Sequence, residues 1–381
     1  MGRTVVRIIA IMLLASPVGV NAQAADTISV ERERVLSKYG EVVSVSVPLY
    51  PTLKGTGRIF RQGITRSGAA ALRLHFKVEH PTPSPTWSVQ VLDRSGGKAW
   101  SYDSASGAES DFWSDEIPGG TVSVEVFSSE ANSPLRVFVD RIAVSAQPVR
   151  RLAITHPDQR APVRTQSPEV QALGRAIARL RFISDDDGRQ YYCTGFLVSP
   201  SLFLTNNHCI RTNSEMRSAL VDFDFNRAGV LPNTRRFREL ILTNVELDFT
   251  LLRLDRAFAD SERRPLRWAT DPPPADNKAL VVIQHPAGEL QQVSILDCRV
   301  RNTRINGVTS TLTDFGHLCD TLGGSSGSPV IDIFTGKVDG LHHLGFRPNS
   351  SRLVNQAVHI KLIADFIRSS RPELASELSF Q

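Results

Sequence analysis

The chain has 381 residues, of which 41% are hydrophobic and 22% charged, with a formal charge of +5. That length allows two or more domains, and the composition is that of an ordinary soluble globular protein, which excludes collagen-like, disordered and multi-span membrane classes. The basic excess is small, and no Lys/Arg run interleaves with aromatic residues, so no nucleic-acid partner is expected.

The first 24 residues read as a signal peptide. Arg3 and Arg7 give a positive start, Ile8 to Val20 is almost wholly apolar, and Ala22-Gln-Ala24 supplies small residues for cleavage. The apolar run falls short of the roughly 20 residues that a membrane helix needs. Nothing later is long and apolar enough to span a bilayer, so an exported protein, periplasmic or extracellular, with no membrane span after cleavage is expected. Four cysteines remain, an even number in an exported chain, and disulfides are the default. Three pairings are possible, of which Cys193 with Cys209 and Cys298 with Cys319 joins sequence neighbours. Metal-binding spacings such as C-x-x-C and H-E-x-x-H are absent from the sequence, and neither a metal nor a cofactor is expected.

From Val42 to Val144 apolar and polar residues alternate in short runs. Leu72, Leu74, Phe76 and Val78 form one set; Trp87, Val89 and Val91 another; Val122, Val124 and Val126 a third; Leu135, Val137 and Val139 a fourth. A period of two marks strands with one buried face, and the runs are separated by Pro/Gly/Ser-rich turns. The spacing predicts a β-sandwich over 26–147. Trp87, Trp100 and Trp113 belong either to its core or to a surface for a carbohydrate or protein ligand. Residues 148–170 are rich in Pro and Arg and read as an exposed linker that could be processed at Arg150-Arg151 or Arg164.

From 171 to 381 the pattern is again mainly β, with apolar runs such as Phe196-Leu-Val198 and Leu280-Val-Val-Ile283. A last helix is expected over Val358 to Arg368, where Val358, Leu362, Ile363, Phe366 and Ile367 recur at helical spacing. The stretch most telling for chemistry is Gly323-Gly-Ser-Ser-Gly-Ser-Pro329. Ser325 in G-x-S-x-G would be the nucleophile of an α/β-hydrolase elbow, but that elbow needs a helix directly afterwards, and Pro329 followed by Val330-Ile-Asp-Ile333 reads as a strand.

With Ser326 as nucleophile, the chain resembles the trypsin-like serine peptidases. Cys193-Thr-Gly-Phe-Leu-Val198 is similar to the strand opening the first barrel of that family. Leu204-Thr-Asn-Asn-His-Cys209 resembles its histidine motif, and Leu247-Asp-Phe-Thr-Leu-Leu252 the segment with its aspartate. Cys193 and Cys209 match the spacing of the family's histidine-loop disulfide. The G-S-S-G-S-P form, His285-Pro-x-Gly288 and Cys319-Asp-Thr321 resemble the bacterial branch that includes the glutamyl endopeptidases.

The resemblance implies an all-β, chymotrypsin-like double β-barrel with a C-terminal helix, preceded by the sandwich. It implies an exported serine endopeptidase acting on protein or peptide substrates, with Ser326 as nucleophile, His208 as base and Asp248 orienting that base. It also implies an oxyanion hole from the N–H groups of Gly324 and Ser326. A side chain at position 324 would obstruct the substrate carbonyl. For the S1 pocket it implies Asp320, as in trypsin itself, or Thr321 and His342, as in glutamyl endopeptidases; the two point to opposite P1 charges.

Two departures stand out. Ser325 replaces the Asp that activates the animal digestive branch, and no Ile-Val-Gly-Gly run occurs. The competing function is a catalytically silent peptidase-fold binding protein. The sandwich could alternatively be an inhibitory or chaperoning pro-domain.

Overall fold

The computed structural model describes residues 36–49, 57–80, 86–106, 110–130, 135–146, 152–153, 157–259, 261–269, 273–309, 311–345 and 354–378. The expected signal peptide and Arg150-Arg151 lie outside them.

The alternating runs of the N-terminal half form strands at Ala71–Glu79, Trp87–Leu92, Thr121–Ser128 and Arg136–Ser145. A four-stranded sheet, which includes Trp87–Leu92 and Thr121–Ser128, faces the sheet with Ala71–Glu79 and Arg136–Ser145. Between them lies a core of Leu72, Leu74, Phe76, Val89, Val91, Val124, Val126, Val137 and Val139. Trp87 is in that core and Trp113 is buried too, while Trp100 is half-buried against Phe76 and Phe112. The tryptophans are therefore mainly packing residues.

A one-face reading of these strands is incomplete. Arg73 and His75, on the polar side of Ala71–Glu79, are buried as well. For Arg73, which reaches the Ser218 carbonyl, the reason is that the sheet does not end with the N-terminal half; His75 is covered within that half by Trp113, Asp111, Asp140 and Arg141. Strand Ser37–Leu49 pairs along most of its length with Arg136–Ser145, but its first residues pair with Arg189–Leu197, Ser37 opposite Tyr192 and Glu41 opposite Arg189. One twelve-stranded sheet therefore runs from the N-terminal half into the first barrel. Gly40 sits at the bulge where the strand changes partners, and a Cβ there would stand 2.1 Å from Gln190 Nε2 and 2.5 Å from the Val144 carbonyl. Only glycine allows that approach.

Side chains lock the same junction. Tyr39 stacks on Tyr192 with ring centroids 4.0 Å apart. Arg73 donates to the carbonyls of Ser114 and Ser218, and Arg181 reaches both Glu116 and Asp222.

Residues 157–170 are also more than an exposed linker. Ala161–Pro162 pairs with Gln292–Val293, Val163 and Val170 are buried, and a helix, Pro168–Gly174, starts on the Ser167 cap. Arg164 is exposed.

The C-terminal half is mostly strand, as expected. An eight-stranded sheet runs from Ala161–Pro162 to Val300–Ile305 and includes Leu280–Gln284, Pro329–Asp332 and Val338–Leu344. One core cluster joins Phe196, Phe203, Phe223 and Phe249 of the first sheet to Ile283, Ile331 and Leu341 of the second. The last helix is Ile360–Ser370, two residues later than its periodicity predicts. It buries Ile360, Ile363, Ala364 and Ile367, and Phe366 meets Phe249 edge-on. Each of the three isoleucines contributes about 2 kcal/mol.

Candidate active site

His208 follows strand Leu202–Thr205, and its neighbour Cys209 is tied to Cys193 on the adjacent strand, with Cα atoms 6.3 Å apart. The second disulfide joins Cys298 to Cys319. Cys193, Cys209 and His208 converge at a distance suited to a metal ion, but the two sulfurs are bonded to each other and offer no thiolate.

Asp248 lies between strands Phe237–Asn244 and Phe249–Leu254 with φ of 40°. That left-handed backbone is tolerated by Asp better than by most residues. It is braced by Asn206, whose Nδ2 donates to the Asp248 carbonyl at 2.8 Å. The carboxylate accepts the His208 backbone N–H at 2.9 Å on Oδ1, and His208 Nδ1 lies 2.7 Å from Oδ2. A carboxylate only accepts, so Nδ1 carries the proton and Nε2 is the basic nitrogen of the neutral ring. Asp248 is buried, which would raise its pKa; His208 and a second histidine, His343, outweigh that and hold it well below the usual carboxylate range.

Ser326 sits in the turn between Thr321–Leu322 and Pro329–Asp332. Gly324 and Gly327 have φ of 96° and 89°. A Cβ on Gly327 would stand 1.9 Å from the Thr194 carbonyl. At Gly324 it would meet Ala287 N at 3.0 Å and the His285 carbonyl at 3.1 Å. The need for glycine at 324 thus has a second source, the backbone of His285–Gly288 behind it.

The turn is pinned from the first barrel: Thr194 N donates to the Ser326 carbonyl at 2.7 Å and Thr194 Oγ1 to that of Gly324 at 2.9 Å. Ser325 turns its hydroxyl back to accept the Leu322 N–H at 3.1 Å, and a strand follows the turn. Both features argue against an elbow nucleophile at Ser325. Among the described residues, the N–H groups of Ser325, Gly327 and Ser328 donate to protein carbonyls, whereas those of Gly324 and Ser326 do not.

The meeting point of these elements is His343, on the strand Val338–Leu344. Its carbonyl lies 3.5 Å from Ser326 Oγ, and its ring Nδ1 lies 3.0 Å from Asp248 Oδ2. Its neighbour His342 points to the other face of the strand, where its Nδ1 lies 3.1 Å from His317 Nε2. Burial pushes His317 down to about 3 and His342 well below the ordinary histidine value, so both are neutral.

Of the other S1 candidates, Asp320 is buried and its Oδ2 accepts the Gln159 N–H at 3.1 Å. Thr321 pairs with Ala153. Asp320 Oδ1 and Thr321 Oγ1 have no hydrogen-bond partner among the described residues.

Residues 193–341 match the family model of the trypsin-like peptidase domain. That stretch holds the disulfide strand, the histidine turn, the aspartate hairpin and the serine turn, and the fold around it is trypsin-like. The chain is 24% identical over 348 residues to secreted RxLR effector protein 73 of Plasmopara viticola, covering 80% of this chain and 84% of that protein. It is 27% identical over 186 residues to the uncharacterized protein y4fB of Sinorhizobium fredii, covering 45% of this chain and 28% of that one. Among solved structures it is similar to the Rv3671c protease of M. tuberculosis in its inactive form, at 20% identity and a TM-score of 0.42, covering 56% of this chain and 97% of that one.

Proposed function

We propose that this peptidase domain is a serine-type endopeptidase, with Ser326 as nucleophile, His208 as general base and Asp248 as the group that orients it. The observation that carries the reading is the Asp248 carboxylate on His208 Nδ1, which leaves Nε2 as the basic nitrogen. A serine hydroxyl is a poor nucleophile at neutral pH, so a base must take its proton as it attacks the substrate carbonyl. His208 Nε2 accepts that proton and then delivers it to the departing amine. Water repeats the sequence to release the acyl group from Ser326. The N–H groups of Gly324 and Ser326 stabilise the oxyanion, and one such donor is typically worth about 3–4 kcal/mol.

Asp320, Thr321 and His342 are proposed to line S1 and to select a polar or charged P1 side chain. A library varying only P1 gives the sign: preference for Lys or Arg assigns Asp320, and preference for Glu assigns Thr321 with His342. Export follows from the signal-like first 24 residues and from two disulfides, which persist in oxidising compartments. The N-terminal half is proposed to remain attached as a scaffold of the first barrel, because the two share one sheet.

The reading is tested by hydrolysis of unblocked and internally quenched peptides. Wild type is expected to cut within the chain, Ser325→Ala to retain most of that rate, and Ser326→Ala to lose it. Equal hydrolysis by wild type and Ser326→Ala would remove Ser326 from the chemistry.

A further inference from the structure

Asp248 has a histidine on each side. His208 Nδ1 and His343 Nδ1 both approach its Oδ2, at 2.7 and 3.0 Å. His343 is fully buried, and its other ring nitrogen lies 2.6 Å from Oδ2 of Asp314, which is fully buried too. Against two ionised carboxylates the ring has only acceptors to face, so both of its nitrogens carry protons. Asp314 is itself fixed, since Thr313 Oγ1 donates to its Oδ1 at 2.8 Å. Gly307 leaves it room, because a Cβ there would stand 2.7 Å from the same oxygen.

We propose that His343 is a positioning residue of the catalytic site, a buried imidazolium that keeps Asp248 ionised and aimed at His208, with Asp314 as its counter-ion. The proposal rests on the triad reading above. Its observations are independent of the order His208, Asp248, Ser326 that led to that reading.

The charges around the ring favour this state. His317 and His342, the other histidines beside it, are neutral, and His359 faces Asp314 from the strand Asn355–His359 with its pKa lowered. No second cation among these histidines competes for the two carboxylates. Burial alone would make His343 neutral as well, but Asp314 and Asp248 reverse that and raise its pKa to about 10.

With both carboxyls ionised and His343 protonated, the cluster carries one net negative charge before His208 takes a proton. When His208 takes the Ser326 proton, the four groups become neutral in sum. The imidazolium on Asp248 also repels a second proton on His208.

Two measurements test this in the full chain. The first is the ring 15N spectrum of His343 in Ser326→Ala, which needs no activity and so separates this proposal from the peptidase reading. Both ring nitrogens are expected to carry protons at pH 8, with loss only towards pH 10; a neutral ring at pH 8 overturns the proposal. The second is the pH profile of kcat/KM for His343→Gln, which can still donate to Asp248 but has no charge. Removing the charge that repels a proton from His208 is expected to move the acid limb to higher pH. A packing role would lower the plateau and leave the limb in place, and an unmoved limb overturns the proposal. If wild type hydrolyses no peptide while His343 is doubly protonated, the peptidase reading fails and with it the catalytic role, leaving the imidazolium only structural.

Discussion

Two buried aspartates, at opposite tasks, organise the first barrel. Asp222 is gripped by Arg179 and Arg181, with Thr234 Oγ1 donating to it at 2.8 Å. Asp248 is gripped by His208 and His343. In both, burial opposes ionisation and the partners overcome it, so both carboxyls are held well below the usual range. The difference is in the partners. Guanidinium stays charged at any ordinary pH, so the Asp222 cluster is fixed and serves to join the first barrel to Glu116 of the N-terminal half through Arg181. Imidazole can exchange protons near neutrality, so the Asp248 cluster can do chemistry. A similar desolvated carboxylate is a rivet in one cluster and, in the proposed function, a catalytic group in the other, according to what faces it.

Changes at the serine and at the two aspartates should separate these roles. The largest effect is expected at Ser326→Ala, with a fall in kcat on the order of 10⁶-fold where the triad acts as a unit, and unchanged thermal unfolding. Asp248→Asn should follow with about 10⁴-fold, because the amide can donate and so favours the wrong His208 tautomer; steady-state kinetics on one peptide measures both. Asp222→Ala should do the reverse. It strands two arginines and should cost about 3–5 kcal/mol in denaturant unfolding, with per-molecule activity retained in the folded fraction.

Replacing both Cys193 and Cys209 by Ala should cost about 2–4 kcal/mol, read the same way, since the bond closes a loop of 16 residues around His208.

Stability against pH sharpens the comparison further. Asp222 has a depressed pKa in the folded protein, so its contribution is complete above the unfolded value of about 3.9 and is lost as pH falls below it. His343 has a raised one, so its contribution is complete below about 6.5 and is lost as pH rises towards 10. Unfolding free energies at pH 5, 7.5 and 10 should therefore show an alkaline loss in wild type that is smaller in His343→Gln, where buried tyrosines such as Tyr39 and Tyr191 still contribute one.

Much of the peptidase half could be read from the sequence, because its signals are local. Cys193, His208, Cys209, Asp248 and Ser326 each sit in a short motif, and the strand after Pro329 already opposed Ser325 as nucleophile. The trypsin-like fold followed from the same motifs. What could not be read depends on contacts between distant segments. Arg73 alternates with apolar residues and so looks solvent-facing; it is buried against Ser218 because the sheet continues into another part of the chain, which no period of two encodes. His343 looks like any strand histidine until Asp314, 29 residues earlier, is brought against it. The exposed-linker reading failed for Val163 for the same reason, since its neighbours Ala161 and Pro162 find partners only at Gln292 and Val293.

His208 and Asp248 are proposed to make Ser326 a nucleophile. The most direct measurement is to react the full chain with a fluorophosphonate and map the modified residue by mass spectrometry, with Ser326→Ala and Asp248→Asn alongside. The account predicts a single adduct on Ser326, strongly slowed in Asp248→Asn and absent in Ser326→Ala. An adduct on Ser325, or none at any pH between 6 and 9 in the folded protein, would contradict it.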